Sequence, residues 1–304
     1  MKRTHQALSM GFSLLMMILM MTGCSSDESI NPQNDGQISD RGFTTVGSGK
    51  KINFYGLTDR NELVKYKAGP PALLLSSVTL SGLGPAEHML AMDFRPSTGI
   101  LYGVSDSSKI YTIDPVSGIV KAISKVPFQP TIKGSSVGFD FDPKRDMIRL
   151  VTDLGQNLNI DPNQGIVAMV DPDLNPFGPA VNAVAFSNIY IPGRGYTMYD
   201  IDASRGDLYV QDPTLGSLSL IGSLGLAISK EGGFDIGSHP VGFGLQNQTE
   251  VGYAVLFGHA LTGGVIGSDN QAIDAYRVYE INLTNGRATY KGRFDRSVIG
   301  IAVP

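Results

Sequence analysis

From residue 52 to the end of the chain, short runs of alternating apolar and polar residues are separated by turn residues. Runs of this length and period read as half-buried β-strands. The clearest repeat is a strand that ends in a hydroxyl–aspartate pair and leads into a second strand. Tyr55-Gly56-Leu57-Thr58-Asp59 leads into Leu63-Val64-Lys65-Tyr66, and Tyr102-Gly103-Val104-Ser105-Asp106 leads into Ile110-Tyr111-Thr112-Ile113. Arg149-Leu150-Val151-Thr152-Asp153 leads into Leu158-Asn159-Ile160. The three aspartates are 47 residues apart. Asp200, in Met198-Tyr199-Asp200-Ile201-Asp202, keeps the step, although Tyr199 replaces the hydroxyl residue.

A second element follows the first. Asp114–Gly118, Asp161–Gly165 and Asp212–Gly216 share the pattern D-P-x-x-G, and Asn282–Gly286 is the same turn without proline. Asp accepts a bond from the backbone two residues on, Pro presets φ and Gly supplies a positive φ, so each predicts a hairpin. A third element precedes the later copies: Ala91-Met92-Asp93-Phe94, Phe139-Asp140-Phe141, Ala183-Val184-Ala185-Phe186, Gly233-Phe234-Asp235-Ile236 and, at the end, Gly300-Ile301-Ala302-Val303. These short, mostly apolar runs read as innermost strands crowded on both faces.

The first unit lacks such a strand, and the C-terminus has one with nothing after it. Pairing the two completes a four-stranded sheet and closes a ring. The pattern therefore predicts an all-β fold, a β-propeller of five four-stranded blades closed by N- and C-terminal strands. The blades are 298–303 with 53–82, then 89–125, 136–170, 181–223 and 233–294. A six-bladed ring is the alternative if residues 237–275 hold an extra sheet.

The N-terminus changes the picture. Lys2 and Arg3 precede an apolar stretch from Gly11 to Met21, too short for a comfortable membrane span, which ends in Met21-Thr22-Gly23-Cys24. This resembles a bacterial lipobox, with Cys24 as the lipidated (palmitate-bearing) first residue of the mature protein. Residues 1–23 are then a lipoprotein signal peptide, 24–51 a flexible acidic tether and 52–304 a single propeller domain. Cys24 is the only cysteine, so no internal disulfide exists. Without Lys2 and Arg3, acidic side chains outnumber basic ones by six, and no basic run carries interleaved aromatics. Nucleic acid is therefore excluded as a partner. The expected location is the outer membrane, facing the periplasm or the cell surface.

Candidate chemistry is sparse. In a propeller the loops between strands 2 and 3 share a face, which gathers Asp59, Asp106, Asp153, Asp200 and Asp202, with Gln156, Asn157 and His259 nearby. Such a face suits a glycan, or Ca²⁺ through oxygen ligands. The alternative is that each Asp accepts turn N–H bonds and repeats by duplication. Arg149, on an otherwise apolar strand, is expected to pair with Asp140 or Asp153. No zinc motif, nucleophile elbow or phosphate loop is present, so no metal or other cofactor is indicated and no catalytic residue is assigned.

The segments YGLTDRNELV, DFRPSTGILY, VGFDFDP and RLVTDLGQNL resemble a family of secreted bacterial proteins, the domain-of-unknown-function family DUF4394. The resemblance covers roughly 52 to 303. Asp142 stands where that family usually has Asn, and Asn159 where it usually has Arg. The family implies no activity. The expected function is a lipid-anchored envelope propeller that binds a glycan or an envelope protein. The alternatives are a carbohydrate hydrolase or lyase and a structural subunit of a surface assembly.

Overall fold

The repeats fold into four-stranded antiparallel sheets set around a ring. The computed structural model describes residues 52–304 except 68, 70–71, 177–179, 194, 241–247 and 261–273. The first blade combines β20 (Val298–Ala302) with β1 (Asn53–Thr58), β2 (Glu62–Lys67) and β3 (Leu73–Thr79). The second holds β4 (Met89–Phe94), β5 (Leu101–Ser105), β6 (Ile110–Ile113) and β7 (Val120–Ala122). The third holds β8 (Val137–Asp142), β9 (Met147–Thr152), β10 (Asn157–Asp161) and β11 (Ile166–Val170). The fourth holds β12 (Val181–Phe186), β13 (Met198–Asp202), β14 (Asp207–Gln211) and β15 (Leu218–Ser223). The fifth holds β16 (Leu226–Pro240), β17 (Gln248–Ala260), β18 (Ala275–Ile281) and β19 (Ala288–Arg293).

The protein is a five-bladed β-propeller. Its ring closes as the split first unit requires: β20 pairs with β1 through Gly56↔Ile301 and Leu57↔Gly300. The long fifth unit contains no sixth sheet among the described residues. Its length goes instead into β16 and β17, at 15 and 13 residues.

The innermost strands β20, β4, β8, β12 and β16 follow one another around the centre. Apolar side chains from facing blades fill the space between sheets. Leu57, Met92 and Tyr111 pack between the first and second blades, Phe139 and Phe141 between the second and third, and Phe234 and Leu208 between the fourth and fifth. After the outer strands of the first four blades, a buried apolar residue folds back over the seam. The N–H groups of Leu80, Phe128, Leu174 and Leu224 donate to the carbonyls of Asn61, Ser108, Gly155 and Gly206 in their own blade's 2–3 turn.

Glycine matters where inner strands touch. A Cβ on Gly233 would lie 2.4 Å from the Ile301 nitrogen and 2.8 Å from the Gly300 Cα. Neither backbone atom can retreat without opening the closing seam. Gly233→Ala is expected to cost about 3 kcal/mol in urea unfolding, the upper end of overpacking costs. A loss below about 0.5 kcal/mol would show the closing strand to be loosely held.

Candidate functional site

The innermost strands carry a repeated step at or near their C-terminal ends, an aspartate followed by a large apolar residue; in β16 the strand continues four residues past it. It occurs in three blades, as Asp93-Phe94, Asp140-Phe141 and Asp235-Ile236; Ala185-Phe186 and Ala302-Val303 replace it in the other two. The apolar residue faces a blade seam, and its neighbour turns toward the axis. Each strand end then leaves a backbone N–H pointing at the centre. The three carboxyl groups cover all five. Asp93 accepts from Phe94 at 2.7 Å and from Phe141 of the next blade at 3.1 Å. Asp140 accepts from Phe186 at 2.8 Å. Asp235 accepts from Ile236 and from Val303, both at 2.5 Å. Where a blade brings alanine, the aspartate of the next blade caps its own strand instead. The carboxyl ring therefore ties neighbouring blades together at the axis.

All three are buried. Burial pushes Asp93 up to about 6, against bonds from Asp140 and from the Phe141 and Phe94 N–H groups that favour its charge. Burial, then the charges of Asp93 and Asp235, raise Asp140 well above the usual carboxylate range. Asp235 is raised well above that range by burial and then by Asp93. Three desolvated carboxyl groups around one axis cannot all ionise, so protons stay on some of them at neutral pH. Asp140 in its acid form faces Asp93 and stabilises that carboxylate.

The ring opens onto a cavity of about 380 Å³ lined by Phe94, Arg95, Phe186, Asn188, Ile236 and Val303 with the three aspartates. Inward of the ring the channel shuts. What remains among Gly138, Asn182, Gly233 and Gly300 is about 10 Å³, room for roughly one water. Among the described residues the mouth is thus a blind pocket. Its rim is rigid: Arg95 is clamped to Asp146 at 2.9 and 2.5 Å and to Asn163 at 2.9 Å, joining the second and third blades. Asn188 donates to the Ile236 carbonyl at 2.6 Å, joining the fourth and fifth.

This mouth lies at the C-terminal ends of the innermost strands, on the D-P-x-x-G hairpin side. The residues singled out from sequence lie elsewhere. Asp59, Asp106 and Asp153 occupy the 2–3 turns on the opposite face, and their N–H groups donate to Ser297, His88 and Ser136. The Asp106 carboxylate accepts from the His88 N–H at 3.1 Å, and Asp153 from the Ser135 N–H at 3.0 Å and hydroxyl at 2.7 Å. Asp59 borders a polar cavity of about 490 Å³ with Arg60, Glu62, Asp295 and Arg296. In that cavity Arg296 bonds Asp295 through two nitrogens at 3.1 Å. Asp202 is buried against Arg205 at 2.5 Å, and Asp200 is buried within the seam between the third and fourth blades.

Gln156 clamps the preceding loop, accepting from the Lys133 N–H at 2.9 Å and donating to the Thr131 carbonyl at 2.9 Å. Asn157 accepts from Arg149 at 2.6 Å and donates to the Pro172 carbonyl at 3.1 Å. Arg149 corrects an expectation. It stands directly across from Asp140 in register, yet pairs with Asp171 at 2.5 Å, because its long side chain runs outward over β10 while Asp140 turns to the axis. His259 lies in β17, and its side chain is outside the described residues, as is Cys24. Among the described residues no group of three or more His, Cys, Asp or Glu is arranged to hold a metal ion.

The aspartates of the mouth were visible in sequence as the repeated Asp-Phe or Asp-Ile ending of the inner strands. The signal is weak because those runs are otherwise apolar and read as pure core.

A five-bladed propeller with an axial pocket is the class that fold and site define. Residues 62–302 match the family described as Domain of unknown function (DUF4394), and the chain belongs to that family. No curated protein matches it. Among solved structures it is similar to an auxiliary nutrient binding protein from Bacteroides ovatus, at 15% identity over 56% of this chain and 47% of that one, with a TM-score of 0.38. It is similar to apo AztD from Citrobacter koseri at 17% identity, 57% and 45% coverage and a TM-score of 0.33. An engineered GH43 glycoside hydrolase matches at 11% identity, 79% and 53% coverage and a TM-score of 0.42. The matched region spans about half the length of each of these proteins.

Proposed function

We propose that this chain is an envelope binding module, lipid-anchored through Cys24 to the outer membrane, whose axial mouth takes a polyhydroxylated ligand such as a glycan fragment. One observation carries the reading: three buried carboxyl groups open together on a blind cavity of about 380 Å³. Pockets of this size suit small ligands. Because burial keeps protons on part of the ring, the mouth offers both O–H donors and carboxylate acceptors with little net charge. Hydroxyl groups match that mixture, whereas a bare cation would have to displace the protons. Phe94, half-buried at the mouth, supplies apolar surface for a sugar ring.

A thermal-shift screen of neutral sugars, amino sugars and Ca²⁺ tests the assignment. A sugar at a hundred times its Kd is expected to stabilise the fold by about 2.7 kcal/mol. A response to Ca²⁺ alone would replace the glycan by a cation. No response across the panel would move the reading to an envelope-protein partner. A second reading, a carbohydrate hydrolase or lyase, is favoured by the carboxyl groups of Asp93 and Asp140 lining one cavity, since paired carboxyls are the usual footing for acid–base chemistry on sugars. New reducing ends in the same incubations would establish it.

The anchor has its own test. Labelled palmitate is expected in the wild-type protein and absent from Cys24→Ala; label retained in the variant would contradict anchoring at this residue.

A further inference from the structure

Most blade seams are filled by apolar side chains, but the seam between the third and fourth blades is partly polar. Val151, Leu174, Val184 and Met198 pack one part of it. Beside them stand Arg149, Asn157, Asn159 and Asp171 from the third blade and Asp200 and Gln211 from the fourth, all buried. Register places the last two on one face: Asp200 lies opposite Tyr209 and Gln211 opposite Met198, in neighbouring strands, and Met198 points into this seam. Arg149 crosses the seam, donating to the Pro213 carbonyl at 3.2 Å.

The hydrogen bonding does not close. Arg149 and Asp171 neutralise each other at 2.5 Å, and the amide nitrogen of Asn159 donates to Asp171. That orientation leaves the Asn159 Oδ1 without a partner. Both carboxylate oxygens of Asp200 and both polar atoms of the Gln211 amide are unpartnered as well. An ionised carboxylate buried without any partner costs several kcal/mol or more. Four unpartnered oxygens on facing walls, with one uncompensated negative charge between them, form an all-oxygen donor set of the kind hard cations take.

We propose that this seam holds one monovalent cation, Na⁺ or K⁺, bound by the Asp200 carboxylate with the amide oxygens of Asn159 and Gln211. Charge selects a monovalent ion: with Arg149 and Asp171 paired, a single positive charge balances Asp200, whereas a divalent ion would leave an excess. Water bridging to the Arg149 Nε and the Gln211 amide nitrogen, both also unpartnered, completes the shell. The ion sits between two blades, so it acts as a staple and is separate from the axial mouth.

The test compares melting of the full chain in NaCl, KCl and N-methyl-D-glucamine chloride at equal ionic strength. At a hundred times Kd the bound ion is expected to raise Tm by about 5 °C over the glucamine salt. Asp200→Asn is expected to abolish that difference, and Gln211→Leu to shrink it. Crystals soaked in RbCl are expected to show an anomalous peak between β10 and β13. Equal melting in all three salts, or a seam that holds only water or a protonated Asp200 with no anomalous peak, would overturn the proposal. The soak keeps the test decisive even where a variant fails to fold.

Discussion

Arg149→Met is expected to lower the unfolding free energy by about 3–5 kcal/mol, the cost of breaking a buried ion pair from one side. Arg149 is fully buried, pairs with Asp171 at 2.5 Å, binds the Asn157 side chain at 2.6 Å and reaches the Pro213 carbonyl at 3.2 Å in the next blade. Methionine fills much of the volume but donates nothing, so Asp171 is left as an unpaired charge in the seam. The double variant Arg149→Met/Asp171→Leu removes both charges and is expected to recover most of the loss. Urea unfolding at neutral pH reads both. A single-variant loss below about 1 kcal/mol would mean that water already reaches Asp171.

The second large effect concerns the axial ring and its pH dependence. Asp140→Ala removes the acceptor for the buried Phe186 N–H and the acid that faces Asp93, and is expected to cost about 2–4 kcal/mol. Asp140→Asn keeps an acceptor for Phe186 and supplies an N–H toward Asp93, as the protonated acid does. It is expected to be at least as stable as wild type at neutral pH, since burial and the neighbouring carboxylates make folding keep a proton on Asp140 that the unfolded chain would release, and the amide escapes that cost.

The signs across pH follow from the same groups. Asp93, Asp140 and Asp235 bind protons more tightly in the folded state than in the unfolded chain. For Asp93 the interval runs from its ordinary 3.8 to about 6, so stability falls as pH rises through that window, by about 3 kcal/mol. Asp295 works in the opposite sense. Arg296 and the Tyr66 hydroxyl hold it down to about 2, so its contribution is present above 3.8 and lost as pH falls toward 2. Together these place the stability maximum well on the acid side of neutrality, at about pH 4 or below. Asp140→Asn is expected to flatten the fall above pH 5. A stability that rises steadily from pH 5 to pH 8 would contradict the ring's protonation.

Architecture was readable in the sequence because a propeller repeats its turn chemistry. The aspartates at 59, 106 and 153 mark the 2–3 turns, the D-P-x-x-G segments mark the hairpins, and the orphan Gly300–Val303 run announces the closing strand. The fifth blade was harder to delimit, since β16 and β17 run to 15 and 13 residues and outlast the repeat.

The site was less legible for a physical reason. A residue's place along a strand can be read from a repeat, but its direction toward axis or seam depends on register with the neighbouring blade. Asp93, Asp140 and Asp235 read as incidental polar residues in apolar strands until five convergent N–H groups gave them partners. Asp59, Asp106 and Asp153 stand out because turn residues repeat most visibly. Arg149 illustrates the same limit: strand pairing brings Asp140 opposite it, but only the path of the side chain over β10 identifies Asp171 as its partner.

The central claim is that the ligand enters at the axial mouth and not at the opposite face. Its most direct test is the thermal shift of the full chain with a glycan panel, for two sets of variants. One set, Asp140→Asn with Asp235→Asn, alters the mouth. The other, Asp59→Asn with Asp106→Asn and Asp153→Asn, alters the 2–3 turns. The account predicts that the mouth variants fold and lose the glycan-induced shift while the turn variants keep it. A shift that survives in the mouth variants and disappears from the turn variants would contradict it.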